Sequence, residues 1–269
     1  MRAAVLGTPA PISAHPLRLA ERNTPQPSPG ELLLEIAACG VCRTDLQIAE
    51  GDLEARLLPI VPGHQAVGRV IAVGDGVADW EIGERAGVGW MAGACGECGF
   101  CRQGRENLCP AARFTGWDRD GGFAEQMTVA AQYAYPLPPD RSALDVAPLL
   151  CGGVIGFRSL KLTGIRPGGR LGLFGFGASA LLTIQVATHW GCEVFVVTRS
   201  EAEQHRALEM GAVWAGSYAD TVPTPVDAAV TFAPVGDVVV AALTSLQPGG
   251  VVAINAIHLD RIPSFDYDL

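Results

Sequence analysis

The stretch RLGLFGFGASALLTIQVATHWG, residues 170–191, decides the fold of the second half of the chain. It begins as a short apolar strand, passes through the pattern G-x-G-x-x-A at 175–180, and continues as an apolar helix that ends at Gly191. Glycines between a strand and a helix let a pyrophosphate approach the backbone, and the free N–H groups at the helix start attract its charge. The stretch therefore predicts a dinucleotide site, and the alternative is a tight turn without a ligand.

The candidate nucleotide contacts lie at this turn and at the end of the next strand. They are Gly175, Gly177, Ala178, Ser179, Thr198, Arg199 and Ser200. An acidic residue at the end of the second strand binds the adenosine ribose 2′-hydroxyl, whereas a basic residue accommodates a 2′-phosphate. The chain has Thr198 and Arg199 there and no carboxylate, which favours NADP over NAD. The alternative is that Arg199 is a solvated surface charge and that NAD is still accepted.

The two halves of the chain differ in pattern, and we expect two domains, residues 1–145 and 146–269. The first half has short β-rich runs separated by Gly and Pro, such as ELLLEIAAC and QAVGRVIAVG, which are typical of a β-barrel-like or sandwich domain. The second half alternates strands with helices, which predicts βαβ units around a parallel sheet. The fold class is therefore α/β with a β-rich first domain.

Composition excludes several classes of protein. The chain has 269 residues, 49% of them apolar, and a formal net charge of −9. An acidic chain without a basic cluster argues against a nucleic-acid partner. The apolar run near the N-terminus is too short for a secretory signal, and no uncharged run is long enough to span a bilayer. We therefore expect a cytoplasmic protein without a membrane partner, in which thiols stay reduced.

Four of the eight cysteines lie in a lobe at about residues 90–112. Their spacing is Cys95-x2-Cys98-x2-Cys101-x7-Cys109. Four thiolates around one ion form a closed tetrahedral zinc site without an open position for a substrate. An iron–sulfur cluster is the rival, because close cysteine spacing also holds such clusters. The spacing therefore predicts a structural metal, with zinc favoured.

A second set of metal-ligand types is dispersed along the chain. It consists of Cys42, His64 and Cys151. Two cysteines and a histidine with a fourth position left open are typical of a catalytic zinc. Spacing alone does not join these three residues, because a lone histidine or cysteine is often a buried core residue.

Five segments, in this order, resemble the zinc-dependent alcohol dehydrogenases of the medium-chain dehydrogenase/reductase superfamily. They are CGVCRTDL, VPGHQAVGRVIAVG, CGECGFCRQGRENLC, PLLCGGVIGFRSL and GFGASA. The likeness is greatest to the bacterial zinc-binding or cinnamyl-type branch. It implies a GroES-like catalytic domain, a Rossmann domain, and two zinc ions per chain, with Cys42, His64 and Cys151 holding the catalytic one. The implied reaction interconverts an alcohol and its aldehyde or ketone by hydride transfer with NAD(P)(H).

The resemblance also implies roles for residues around the catalytic zinc. Thr44 matches the hydroxyl that relays the alcohol proton, and Arg43 matches a position near the cofactor pyrophosphate. Asp45 matches the partner that orients His64. Trp90 matches an aromatic residue of the substrate pocket, and a plain packing role is the alternative.

Three departures from the family pattern qualify these expectations. Gln65 replaces the usual glutamate after the histidine, and Gln47 replaces a histidine that ends the proton relay in several relatives. After VVAINAI the sixth Rossmann strand and the final segment are not found, so we expect a C-terminally truncated sheet. The family is dimeric or tetrameric, and a missing strand is expected to impair assembly. A non-catalytic remnant that binds zinc and nucleotide therefore remains the alternative function.

Overall fold

A computed structural model describes residues 1–257 and 259–266. The chain divides into two compact units, Met1–Cys151 and Gly152–Leu269. Each unit has its own buried apolar core. The division falls where the β-rich pattern gives way to the alternation of strands and helices.

The first unit is built mainly from β-strands. The strands are β1 (Arg2–Leu6), β2 (Leu17–Glu21), β3 (Glu31–Cys39), β4 (Ala66–Val73), β5 (Arg85–Val88), β6 (Met91–Gly93), β7 (Arg113–Phe114), β8 (Gln126–Ala130) and β9 (Ala134–Pro136). Two short helices, α1 (Arg43–Glu50) and α2 (Ala143–Val146), accompany them. Single 3-10 turns lie at Ile12–Ala14, Cys101–Gln103, Glu106–Leu108, Ala131–Tyr133 and Ala147–Leu150.

An antiparallel sheet of five strands, in the order β8-β3-β4-β5-β9, forms the centre of this unit. The pairs β1–β2 and β6–β7 form two smaller antiparallel sheets. Leu32 and Leu34 on β3 and Val70 on β4 are fully buried and pack with Met127 on β8. This sheet is the frame that carries the loops holding Cys42 and His64.

The second unit is a doubly wound parallel sheet. Its strands are β10 (Arg170–Phe174), β11 (Glu193–Val197), β12 (Trp214–Gly216), β13 (Val226–Thr231) and β14 (Leu246–Ile254). Its helices are α3 (Gly152–Thr163), α4 (Ala178–His189), α5 (Glu201–Glu209) and α6 (Gly236–Thr244). The strand order is β12-β11-β10-β13-β14, and every neighbouring pair is parallel. The predicted α/β class with a Rossmann sheet is therefore confirmed.

Burial explains why the central strands read as continuous apolar runs. Leu171, Leu173 and Phe174 on β10 are all at most 1% exposed, so both faces of the strand are covered. Strands of parallel sheets are covered on both faces by helices and therefore lack polar alternation. Strand β12 did not stand out in the sequence because it has only three residues.

Strand β14 lies at one edge of the sheet, which has five strands within the described residues. The expected loss of a sixth strand stays a prediction. No single helix in the described part of the chain is long and apolar enough to cross a membrane, although the bent pair Ala143–Leu150 and Gly152–Thr163 passes by length and composition alone.

Candidate metal centres and nucleotide pocket

The four cysteines of the lobe converge on one point. All four sulfur atoms lie within 4.8 Å of one another. The Sγ–Sγ distances are 3.5 Å for Cys98–Cys101, 3.6 Å for Cys95–Cys109 and 3.9 Å for Cys95–Cys101. A tetrahedron with Zn–S bonds of about 2.3 Å separates its sulfurs by about 3.8 Å, whereas a disulfide needs about 2.05 Å. The distances therefore fit a four-thiolate zinc site and no disulfide.

Backbone N–H groups of the lobe point at these sulfurs. Cys98 N–H donates to Cys95 Sγ at 3.3 Å, and Cys101 N–H donates to Cys98 Sγ at 3.5 Å. The pKa of Cys95 is lowered to about 7, first by the backbone N–H of Glu97 and then by that of Cys98. Burial raises the pKa of Cys101 to about 12. The backbone is thus folded to stabilise thiolate at the exposed end of the set.

The second candidate centre joins residues that are far apart in the sequence. One donor atom each from Cys42, His64 and Cys151 lies within 4.8 Å of the other two. Cys42 Sγ and His64 Nε2 are 3.4 Å apart. Two ligands of a tetrahedral zinc, one sulfur and one nitrogen, are separated by about 3.5 Å. The donor set therefore fits zinc with three protein ligands and one open position.

Three different local structures present these donors. Cys42 is the N-cap of α1, and its sulfur accepts the Thr44 N–H at 3.3 Å. His64 follows Gly63, whose φ is +98° and whose Cβ position lies 2.6 Å from Phe123, so only glycine fits there. Cys151 directly follows the 3-10 turn at Ala147–Leu150.

Asp45 links two of these ligands. Its Oδ2 accepts the Cys42 N–H at 2.8 Å, which closes the capping box at the start of α1. Its Oδ1 lies 3.1 Å from His64 Nδ1. Asp45 is 4% exposed and His64 is 1% exposed. One buried carboxylate thus stabilises the start of the helix that carries Cys42. The same carboxylate selects the tautomer of His64 that leaves Nε2 free for a metal.

The pKa values of these groups reflect their mutual contacts. The pKa of Cys42 is lowered to about 3, first by a hydrogen bond with Cys151 and then by its contacts with His64. The pKa of Cys151 is raised, first by that same bond with Cys42 and then by burial. Burial lowers the pKa of His64, but hydrogen bonds to Asp45 and Cys42 outweigh it and raise the value to about 9. These contacts therefore favour the thiolate form of Cys42.

The other predicted neighbours of this centre lie close to it in the sequence and in space. Thr44 is 5% exposed and follows Cys42 within the first turn of α1. Gln65 is 3% exposed, and its Nε2 has no hydrogen-bond partner among the described residues. Arg43 is exposed and lies 4.0 Å from Asp52.

Trp90 forms part of an aromatic stack that begins at His64. Its ring meets the imidazole edge-on with centroids 4.9 Å apart. It stacks on Phe114 at 5.0 Å and on Trp117 at 5.9 Å. The guanidinium of Arg56 lies 3.7 Å from the Trp117 centroid. The sequence indicated His64 and Trp90 of this stack but not Phe114, at the end of β7, or Trp117, which follows β7, because neither belongs to a motif.

The glycine-rich turn of the second unit opens into a cavity of about 870 Å³. The turn lies between β10 and α4, as predicted. Gly175 has a φ of +90°, and a Cβ at Gly177 meets no atom within 4 Å, so the backbone there is open to a ligand. The first residue of α4 follows Gly177, which provides no side-chain cap. Free N–H groups at this helix start fit a pyrophosphate.

Thr198, Arg199 and Ser200 line the same cavity, so the structure brings them together with the glycine turn. Two further lining residues, Glu203 and Tyr218, were missed in the sequence. The signal for Glu203 was present, because S-x-x-E at 200–203 is a capping-box pattern that places the glutamate in the first helical turn.

Comparison with known proteins places the chain in one family. Residues 28–139 match the family model of the alcohol dehydrogenase GroES-like domain. The chain is 49% identical over 264 residues to a Mycobacterium tuberculosis protein named "Probable alcohol dehydrogenase AdhA", a match covering 96% of this chain and 76% of that protein. It covers between 50% and 59% of several other alcohol dehydrogenases.

Solved structures agree with this match. A cobalt- and zinc-bound thermostable alcohol dehydrogenase from Pyrobaculum aerophilum superposes with a TM-score of 0.88 at 26% identity, covering 100% of this chain and 80% of that one. CAD from Helicobacter pylori, complexed with NADP(H), has a TM-score of 0.85 at 25% identity, covering 96% and 77% of the two chains. The predicted family, GroES-like fold, zinc and nicotinamide cofactor are confirmed.

Two observations in the structure agree with the comparison to the 49% identical relative. The sulfur and nitrogen donors are arranged for zinc, and the glycine turn is open to a dinucleotide. The chain belongs to the zinc-dependent alcohol dehydrogenases of the medium-chain dehydrogenase/reductase superfamily, which are oxidoreductases that use a nicotinamide cofactor.

Proposed function

We propose that this chain interconverts a primary or secondary alcohol and its aldehyde or ketone, with hydride transfer to or from NAD(P)(H). The observation that carries the proposal is the convergence of the Cys42, His64 and Cys151 donor atoms within 4.8 Å. A zinc ion held there supplies Lewis acidity, which lowers the pKa of an alcohol and polarises a carbonyl. The four cysteines of the lobe hold a second zinc and leave no place for a substrate.

The residues around the centre position groups and move a proton. Asp45 orients the His64 ring and leaves its Nε2 free to hold a zinc ion. The Thr44 hydroxyl would relay the proton that the alcohol loses, accepting it while donating its own proton onwards. Since Gln47 does not titrate near neutral pH, the proton passes from Thr44 to water rather than to a histidine. Gln65 adds no negative charge beside the ligands, unlike the glutamate of relatives.

The cavity of the second unit would hold the cofactor, which would supply the hydride chemistry. Gly175, Gly177, Ala178 and Ser179 approach its pyrophosphate, with Arg43 as a further contact. Thr198, Arg199 and Ser200 face its adenosine ribose, and their place in the lining of the cavity supports this part of the proposal.

The substrate is a small alcohol or aldehyde, and Trp90 forms a wall of its pocket. The contact of the indole with His64, at 4.9 Å between ring centroids, supports this role. A flat, apolar surface beside the reacting carbon favours substrates with an apolar body.

Three further features of the proposal concern organisation. The catalytic domain of the proposal spans residues 1–145 and the nucleotide domain residues 146–269, which is six residues before the division between the compact units after Cys151; the match at 28–139 lies within the first domain. Assembly into a dimer or tetramer and a cytoplasmic location complete the proposal. The eight unpaired cysteines are compatible with a reducing compartment.

The test of this function uses the zinc-loaded full chain with NAD or NADP and a panel of alcohols and aldehydes. We expect a change of nicotinamide absorbance with at least one pair. Cys151→Ala should abolish turnover, whereas Cys192→Ala, which removes a buried thiol outside both metal sets, should retain it. No absorbance change from a folded sample with two zinc ions per chain would contradict the proposal.

Metal analysis separates this function from the non-catalytic alternative. An assembled catalytic centre binds a second zinc that is lost in Cys42→Ala. A single zinc that persists in Cys42→Ala would favour the remnant instead.

A further inference from the structure

The end of β11 and the start of α5 meet at one side of the nucleotide cavity. Thr198 follows β11 directly, Arg199 and Ser200 come next, and Glu203 lies in the first turn of α5. Both Arg199 and Glu203 line the cavity. Arg199 and Glu203 are therefore the cation and the carboxylate beside the end of β11, and the other carboxylate that lines the cavity, Asp237, comes from the first turn of α6.

The carboxylate of Glu203 is held towards the strand end rather than towards its own helix. In a capping box, the glutamate at this position would accept the backbone N–H of Ser200. Ser200 makes its half of that arrangement, because its Oγ accepts the Glu203 N–H at 3.4 Å. The carboxylate instead accepts the Thr198 hydroxyl at 2.5 Å. Gln204 also binds the strand end, because its Nε2 donates a hydrogen bond to Thr198 O at 2.9 Å.

Tyr218 lines the cavity together with Arg199 and Glu203. Its phenol is partly buried and lines the same space. Burial raises the pKa of Tyr218, Arg199 acts in the opposite direction, and Glu203 raises it further. Arg199 and Glu203 thus both lie near the Tyr218 side chain.

A helix start by itself attracts acidic residues, and this is the competing explanation for Glu203. Glu201 shares that benefit, because it also lies in the first turn of α5. Glu201 is exposed and does not line the cavity, whereas Glu203 is half-buried and does. The hydrogen bond with Thr198 and the place in the cavity therefore distinguish Glu203 from an ordinary residue of a helix start.

We propose that Glu203, anchored by Thr198, is the residue that recognises the adenosine ribose and sets the choice between NAD and NADP. Its carboxylate accepts a hydrogen bond from a ribose 2′-hydroxyl and repels a 2′-phosphate, whereas Arg199 attracts that phosphate. The two charges oppose each other, so the pocket binds NAD at least as tightly as NADP. This inference rests on the proposed nicotinamide-linked function, and it replaces the preference for NADP that the strand end alone suggests.

Calorimetric titration of the zinc-loaded full chain with NAD+ and with NADP+ tests the proposal. A carboxylate about 6 Å from a dianion in water opposes it by about 1.4 kcal/mol, or about tenfold in affinity. Glu203→Gln should therefore shift the ratio of the two Kd values towards NADP+ by about tenfold. Glu201→Gln removes the same charge from the same helical turn and should shift the ratio by less than about twofold.

A second variant tests the hydrogen bond between Thr198 and Glu203. Thr198→Val keeps the carboxylate but removes its hydrogen bond, and it should weaken NAD+ binding more than NADP+ binding. Equal shifts in Glu203→Gln and Glu201→Gln, or an unchanged ratio in Glu203→Gln, would overturn the role of Glu203. A wild-type chain that strongly prefers NADP+ would overturn it as well.

Turnover is measured on the same samples so that the two proposals can fail separately. Nucleotide binding with the expected shift but without alcohol oxidation would refute the proposed function and support the role of Glu203. Oxidation with an unchanged Kd ratio would refute only the role of Glu203. Binding of neither nucleotide would refute both.

Discussion

The four-cysteine lobe and the centre of Cys42, His64 and Cys151 lie in the same unit but are built in opposite ways. The lobe takes its ligands from residues 95–109 and directs neighbouring backbone N–H groups at their sulfurs. The other centre takes one ligand from a helix cap, one from a loop after Gly63 and one from the end of a 3-10 turn. A closed local set can brace a fold, whereas a set spread over several elements leaves a position open and depends on the whole unit.

The largest effect expected from this contrast is the loss of turnover in the variant His64→Ala. Removing the imidazole should cost the centre its metal, and Lewis-acid stabilisation of several kcal/mol corresponds to a loss of about 10³-fold in kcat/KM. Zinc content should fall from two ions to one. Steady-state assays and metal analysis measure both, and His205→Ala on the exposed face of α5 is the control. Full activity in His64→Ala would remove the distinction between the two sites.

A smaller effect is expected from Asp45→Asn. The amide keeps the size of the side chain but weakens its hold on His64 Nδ1 and on the Cys42 N–H. Loss of such a partner lowers metal affinity by about 10- to 100-fold. Competition with a chelator measures the affinity of the second zinc, and the lobe zinc should stay unchanged. Asp52→Asn, an exposed residue of the next turn, serves as the comparison; an equal effect there would contradict this account.

The smallest effect on turnover is expected from Cys98→Ser in the lobe. Loss of the structural metal should lower Tm by about 5–10 °C, because metal binding contributes folding free energy. The initial rate at 25 °C should change by less than about twofold in a sample that remains folded. Thermal scans and assays are compared with those of Cys192→Ser, which lies outside both sets. An unchanged Tm with normal zinc content would show that the lobe does not brace the fold.

The sequence predicted the lobe from its cysteine spacing and the nucleotide turn from a glycine pattern placed between a strand and a helix, because each is a local structure. Cysteines two residues apart turn around one ion, and two glycines between strand and helix face one ligand whatever the rest of the chain does. The Cys42–His64–Cys151 centre is different, because its assembly depends on tertiary contacts such as that of Gly63 with Phe123. It could be predicted only through the resemblance to a family.

The features that the sequence did not indicate have a common physical cause. Phe114 and Trp117 meet Trp90 through the pairing of β6 with β7, two short strands that no local pattern specifies. Glu203 was overlooked because the usual rule examines the end of the strand, while its carboxylate returns to that point from the following helix. Strand β12 forms only by pairing with β11 over three residues.

The two bonds of Asp45 have a consequence for how activity is lost on warming. The first turn of α1 and the orientation of His64 share one carboxylate, so fraying of that turn releases the histidine at the same moment. Such local opening requires less free energy than global unfolding. Opening of this single helical turn is therefore enough to release the histidine, and we expect heat inactivation to precede the collapse of the sheet that supports the centre.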